Sequence, residues 1–246
     1  MLVSPNVFLT AQHYSPSSTQ GLTFYEGNDP SANPISIGIG GSQQIGNTDL
    51  RIGYLDSAVP STIDFYSYAT APLSQASFQG SSYFNASAIL TGLTPTTTGY
   101  GDSSVTDTSH GQNRLEGFVD GFEVGSSVGD ALVTIKNLPT DGIYGYTYET
   151  YETDLNGGDS GGPLFRDTGS GLELVGISWA SGTGTITGRG LPDAQRDISL
   201  YTYTGNYAAD IQSYIDSHPA VVSPVPEPSM GLFALCGLFL LRRVRA

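Results

Sequence analysis

Cysteine is nearly missing from this chain. The single one, Cys236, cannot form an intrachain disulfide, so any fold the 246 residues adopt is held without covalent staples. A chain this long can build a sufficient hydrophobic core without them. Basic residues are also scarce: nine Lys and Arg stand against 23 Asp and Glu, giving a formal net charge of −14. The tail from Ser223 carries three Arg and one Glu, which leaves the remainder more acidic still. That balance argues against nucleic acid and against anionic membrane surfaces, both of which are bound by basic patches. It favours solubility and encounter with cationic partners. No metal-ligand cluster is visible, and no metal or cofactor is expected. Met230 to Leu241 offers twelve apolar or glycine residues without a charge, short of the roughly 20 that a membrane-spanning helix needs. No internal repeat of fixed period is visible.

What is abundant points to β structure. Glycine (32), proline (14) and tyrosine (15) are plentiful, and short alternating runs are broken by turn residues. Arg51 to Leu55, Gly117 to Val124, Asp130 to Ile135 and Leu172 to Trp179 read as strands. The pattern predicts an all-β barrel protein. Tyr207, Ile211, Tyr214 and Ile215 recur at helical spacing and predict a C-terminal helix. The polar stretch around residues 94–104 predicts a connector between two halves. The expected division is residues 1–105, residues 106–218 with the helix, a Pro-rich linker over 219–229, and an apolar and Arg-rich tail over 230–246.

The most informative segment is Gly158-Asp159-Ser160-Gly161-Gly162-Pro163-Leu164-Phe165. A serine between glycines can present its hydroxyl and the neighbouring N–H groups on one concave turn. Attack on a carbonyl needs that arrangement, with Oγ as nucleophile and N–H donors aimed at the oxygen that becomes negative. The segment resembles the serine motif of the trypsin/chymotrypsin-like proteases. Those enzymes carry His, Asp and Ser in that chain order. Here His13 ends Val7-Phe8-Leu9-Thr10-Ala11-Gln12-His13, which resembles the family's Thr-Ala-Ala-His strand end with Gln12 in place of the second alanine. Asp49 opens Asp49-Leu50-Arg51-Ile52-Gly53-Tyr54-Leu55, which resembles the family's aspartate strand. His110, in a polar loop, and His218, at the end of the predicted helix, read as surface or cap residues.

The resemblance implies two antiparallel β-barrels of the six-stranded, chymotrypsin-like type and a C-terminal helix. It implies an exported serine endopeptidase that cleaves protein or peptide substrates through Ser160, His13 and Asp49. The N–H groups of Gly158 and Ser160 would form the oxyanion hole. Leu174 to Gly182 resembles the strand that lines the substrate cleft, which assigns Ser178, Trp179 and Ala180 to substrate binding. Asp154, six residues before Ser160, stands where trypsin-like members carry the acid of the primary pocket, which implies cleavage after basic residues. Ala180 and Ser199 narrow that pocket, and Arg189 and Arg196 are cations that could neutralise its acid. The family's common cysteines are Tyr14 and Asn156 here.

Two features of the chain ends add expectations. The resembling enzymes have several strands' worth of sequence before the histidine, whereas His13 is preceded by twelve residues and no signal peptide. The expectation is a true start further upstream and a first barrel incomplete at its N-terminus. At the other end, Val225-Pro226-Glu227-Pro228-Ser229, the apolar stretch and Arg242-Arg243-Val244-Arg245 resemble the PEP-CTERM sorting signal of Gram-negative bacteria. That implies export, transient membrane association and processing by an exosortase-type enzyme. The alternative from another class is a surface-anchored binding or adhesive protein that keeps the protease fold with little activity.

Overall fold

The computed structural model describes residues 1–17, 19–25, 33–93, 108–137, 153–185 and 195–220. The chain is mostly β, with one sheet curled into a half-barrel, a second sheet and a C-terminal helix. A four-stranded antiparallel sheet has the order β1-β4-β3-β2. Its strands are β1 (Val7–Ala11), β2 (Gly21–Phe24), β3 (Ile35–Gln44) and β4 (Leu50–Leu55). An eight-stranded sheet has the order β7-β6-β10-β11-β12-β9-β8, with β5 paired in parallel to β11. Its strands are β5 (Ser67–Tyr68), β6 (Ser87–Leu93), β7 (Thr108–Arg114), β8 (Gly117–Val124), β9 (Ser127–Ile135), β10 (Pro163–Asp167), β11 (Leu172–Thr185) and β12 (Gln195–Tyr203). A single helical turn, α1 (Gln75–Phe78), precedes β6, and α2 (Ala208–Ser217) closes the described chain. The helix falls where the 3.6-residue spacing places it.

Alternation explains why the smaller sheet is buried on both faces. Val7, Leu9 and Ala11 of β1 point to one side with Leu50 and Ile52 of β4, while Phe8 points to the other with Leu55, Ile37 and Ile39. The first side is shared. Phe165, Leu174 and Ile177 of the larger sheet and Ile211 and Tyr214 of α2 pack into the same cluster. Leu9, Leu50, Ile52, Leu174, Ile177 and Ile211 are all fully buried. Truncating one such side chain to alanine costs about 2–5 kcal/mol. The two sheets are therefore held together by side chains from both. The inside of the larger sheet has its own cluster around Leu115, Phe118, Leu132, Leu164, Tyr201 and Tyr203.

The four-stranded sheet ends with Leu55, and every strand from Ser67 onward joins the larger one. The polar stretch after Leu93 reads as a linker, yet it lies between β6 and β7, which are antiparallel neighbours from Ser87↔Arg114 to Leu93↔Thr108. Polarity marks a surface connection; it does not say whether the flanking strands pair with each other. The tail motif, Cys236 and Arg189 lie outside the described residues. So does the side chain of His110, whose backbone belongs to β7.

Candidate active site

β1 and β4 run antiparallel with Ala11 opposite Leu50, so the residues just past the end of one and just before the start of the other meet. Those residues are His13 and Asp49. The Gln12 N–H donates to the Asp49 carbonyl at 2.8 Å and continues the ladder by one bond. The carboxylate then takes two bonds from one residue: Oδ1 from the His13 backbone N–H at 3.0 Å and Oδ2 from the His13 ring at Nδ1, 2.6 Å away. Thr48 shapes the turn that delivers the acid, donating its hydroxyl to the Ile45 carbonyl and accepting the Leu50 N–H. Asp49 is 1% exposed and the His13 side chain 46%. Burial pushes the Asp49 carboxyl above its ordinary range, and the bonds from His13 pull it down without cancelling that rise.

On its other side, His13 Nε2 lies 2.8 Å from Ser160 Oγ. With Nδ1–H donating to Asp49, Nε2 is the free acceptor of the ring and faces the serine hydroxyl. A hydroxyl, a base and the carboxylate that orients it are thus linked by hydrogen bonds, with 147 residues of sequence between serine and histidine.

The loop that carries Ser160 is fixed at both ends. The Leu155 N–H donates to Ser199 Oγ on β12 at 2.9 Å. Beyond the serine, the Gly161 N–H donates to the Ser178 carbonyl and the Ser178 N–H to the Gly162 carbonyl, stitching the loop to β11. Inside it, Asp159 is nearly buried and accepts the Asn156 N–H at 2.8 Å, while the Gly162 N–H returns to the Asp159 carbonyl. Two glycines permit the path, with φ of +107° at Gly158 and +82° at Gly161. Among the described residues, the N–H groups of Gly158 and Ser160 donate to no protein acceptor. They remain as two donors in the turn beside the hydroxyl, as an oxyanion hole requires.

Gly161 also sets the distance between the sheets. A Cβ there would lie 2.5 Å from Thr10 Oγ1 and 3.2 Å from the Ala11 nitrogen, whereas one on Gly158 would meet nothing within 4 Å. Both substitutions force L-residues into positive φ, which costs on the order of 1–3 kcal/mol. Gly161→Ala adds an overlap with β1, two residues from His13. It is expected to be the more destabilising of the two by urea denaturation and to lower turnover along with stability.

The residues assigned to substrate binding fare differently. Ser178 is 1% exposed, and its Oγ finds no hydrogen-bond partner among the described residues. Trp179 is 5% exposed because Phe122 of β8 packs edge-on against it at 5.9 Å. Ala180 is half-buried beside an irregularity in the β11–β12 register. The Ser178 and Trp179 side chains are therefore buried in the wall behind the loop, to which the Ser178 backbone is hydrogen-bonded. Asp154 is not free either: its Oδ1 lies 2.7 Å from Lys136 Nζ.

Three contributors escape the sequence reading. Lys136 lies 18 residues before its partner. Thr10 touches the serine loop only because two sheets meet. Gln12, the departure from alanine, accepts from Arg51 at 2.7 Å, which ties the residue beside His13 to the strand of Asp49. The available signal for Lys136 is that it is the single lysine in the chain. His218, read as a cap, sits at the end of α2 with its ring stacked between Tyr54 at 4.3 Å and Tyr214 at 4.2 Å. Among the described residues, no group of three or more His, Cys, Asp or Glu side chains could hold a metal ion, and no helix is long and apolar enough to cross a membrane.

No protein-family model matches the chain, and no curated protein matches it.

Proposed function

We propose that the protein is a serine endopeptidase of the chymotrypsin-like, double-barrel kind. The observation that carries the reading is the unbroken chain from Ser160 Oγ to His13 Nε2 at 2.8 Å and from His13 Nδ1 to Asp49 Oδ2 at 2.6 Å. In this reading Ser160 Oγ attacks the peptide carbonyl as its proton passes to His13 Nε2. The carbonyl oxygen takes the negative charge and is met by the N–H groups of Gly158 and Ser160. As the tetrahedral centre collapses, the C–N bond breaks and His13 returns the proton to the leaving amine. A water then repeats the sequence on the acyl-enzyme and frees Ser160. Asp49 keeps the imidazole in the Nδ1–H tautomer and stabilises its charged form. The chemistry needs no metal or cofactor.

Incubation with an unfolded protein substrate is the direct check on the reaction class. Expected are fragments with new amino and carboxyl termini, and their loss after treatment with a phosphonate ester. An intact substrate at high enzyme concentration would favour the adhesive alternative.

Export, transient membrane association and exosortase-type processing belong to the same proposal and rest on the tail motif from Val225 to Arg245. In a host with an exosortase, the mature exported protein is expected to lack the segment after about Pro228. Mass spectrometry decides this, and Arg245 retained on secreted material would refute it.

A further inference from the structure

The wall behind the serine loop has a readable face. In antiparallel pairs, directly opposed residues share a face of the sheet, and so do residues two apart along a strand. Ser199 is opposite Thr134, and Tyr201 is opposite Ser178. These four therefore line one face, and the loop leading to Ser160 docks on it through the Leu155 N–H bond to Ser199 Oγ. Lys136 lies two residues beyond Thr134, just past the end of β9, and its N–H donates to the Asp197 carbonyl at 2.9 Å. The same alternation brings its side chain to the same face. There its Nζ meets Asp154, at the start of the serine loop, at 2.7 Å.

The composition makes the placement notable. The chain has one lysine, and its ammonium group is paired with Asp154. Asp154 is the more enclosed partner at 15% exposure, and Lys136 the more open at 40%. An arginine or lysine that approaches Asp154 comes up against the ammonium group already paired with it. It must displace that group from Asp154 or share the acid with it, and like charges placed together in a partly enclosed site oppose binding. An uncharged side chain suffers no such repulsion.

We propose that Lys136 is a specificity-determining residue: by pairing with Asp154 it turns a pocket that would select basic side chains into one that takes uncharged side chains before the scissile bond. The inference rests on the endopeptidase reading, and it replaces the basic preference that the position of Asp154 alone implies. Lys136 is positioned to act through Asp154 and the substrate side chain, away from the reacting atoms.

The test compares peptides that differ only in the residue before the scissile bond: Arg, Lys, Gln and Leu. Wild type is expected to cleave the Gln or Leu peptide with kcat/KM at least about tenfold above the Arg peptide. Lys136→Met exposes Asp154 and should raise kcat/KM for Arg and Lys by at least about tenfold, with the uncharged peptides changed far less. Lys136→Met/Asp154→Asn should lose that gain. Lys136→Arg keeps the ion pair and should keep the wild-type profile. Lys136→Gln provides a second neutral variant if Lys136→Met does not fold, and labelling of Ser160 by a fluorophosphonate reports an intact site in each. A wild type that already prefers Arg, or neutral variants with intact labelling and an unchanged Arg/Leu ratio, would overturn the inference while leaving the nucleophile assignment in place. A wild type that neither labels at Ser160 nor cleaves any of the peptides would overturn the endopeptidase reading and this inference with it.

Discussion

Ser160→Ala and His13→Ala are each expected to lower kcat/KM on a peptide substrate by on the order of 10⁵- to 10⁶-fold. The serine variant removes the hydroxyl that lies 2.8 Å from His13 Nε2. The histidine variant leaves the hydroxyl in place but removes the one side chain bonded to it among the described residues. Because the groups act as a unit, the double variant should be hardly slower than either single one. Independent contributions would instead multiply. Ser160 is half-buried and the His13 side chain is 46% exposed, so neither truncation opens a hole in the core, and the melting temperature should move little. Steady-state kinetics on the four proteins, with thermal denaturation alongside, separates loss of chemistry from loss of fold.

Asp49→Asn should separate function from stability. The carboxylate is 1% exposed, and burial, the largest influence on it, raises its pKa above the ordinary value despite two bonds from His13. A raised folded-state pKa means that the protonated form suits the fold better. The associated stabilisation is complete below the ordinary carboxylate pKa and is lost as pH rises through the folded-state value. At neutral pH, then, the buried charge costs stability. The asparagine has nearly the same shape without that charge. It should melt at the same temperature as wild type or higher at pH 7, and the difference should shrink as pH falls through the range in which Asp49 takes up its proton. Activity should move the other way, falling on the order of 10³- to 10⁴-fold, because an amide no longer enforces the Nδ1–H tautomer or stabilises the imidazolium. A variant that melts well below wild type at pH 7 would show that the carboxylate is held for structure.

The candidate site was legible before the fold was. Chemistry dictates residue types and order for a serine nucleophile, so His13, Asp49 and Ser160 stand out from short segments, and the structure brings those three side chains into hydrogen-bonding contact. Strand existence was legible for a similar reason. Gly117 to Val124 alternates and forms β8 with those bounds. Sheet membership was not legible, because pairing is a long-range choice. The polar stretch after Leu93 has the composition of a domain linker and joins two strands that pair. The surroundings of the site were hidden for the same physical reason. The burial of the Trp179 side chain depends on Phe122, which lies on a different strand and packs edge-on against it. Lys136 reaches Asp154 only once β9, β12 and the serine loop are assembled.

The central claim is that Ser160 is a nucleophile activated by His13 and Asp49. The measurement closest to it is reaction of the purified protein with a fluorophosphonate, followed by mass spectrometry of the intact chain and of its peptides. The account predicts a single adduct, mapped to Ser160, absent from Ser160→Ala and formed orders of magnitude more slowly in His13→Ala. An unmodified Ser160 in folded wild-type protein, or peptide cleavage that survives in Ser160→Ala, would contradict it.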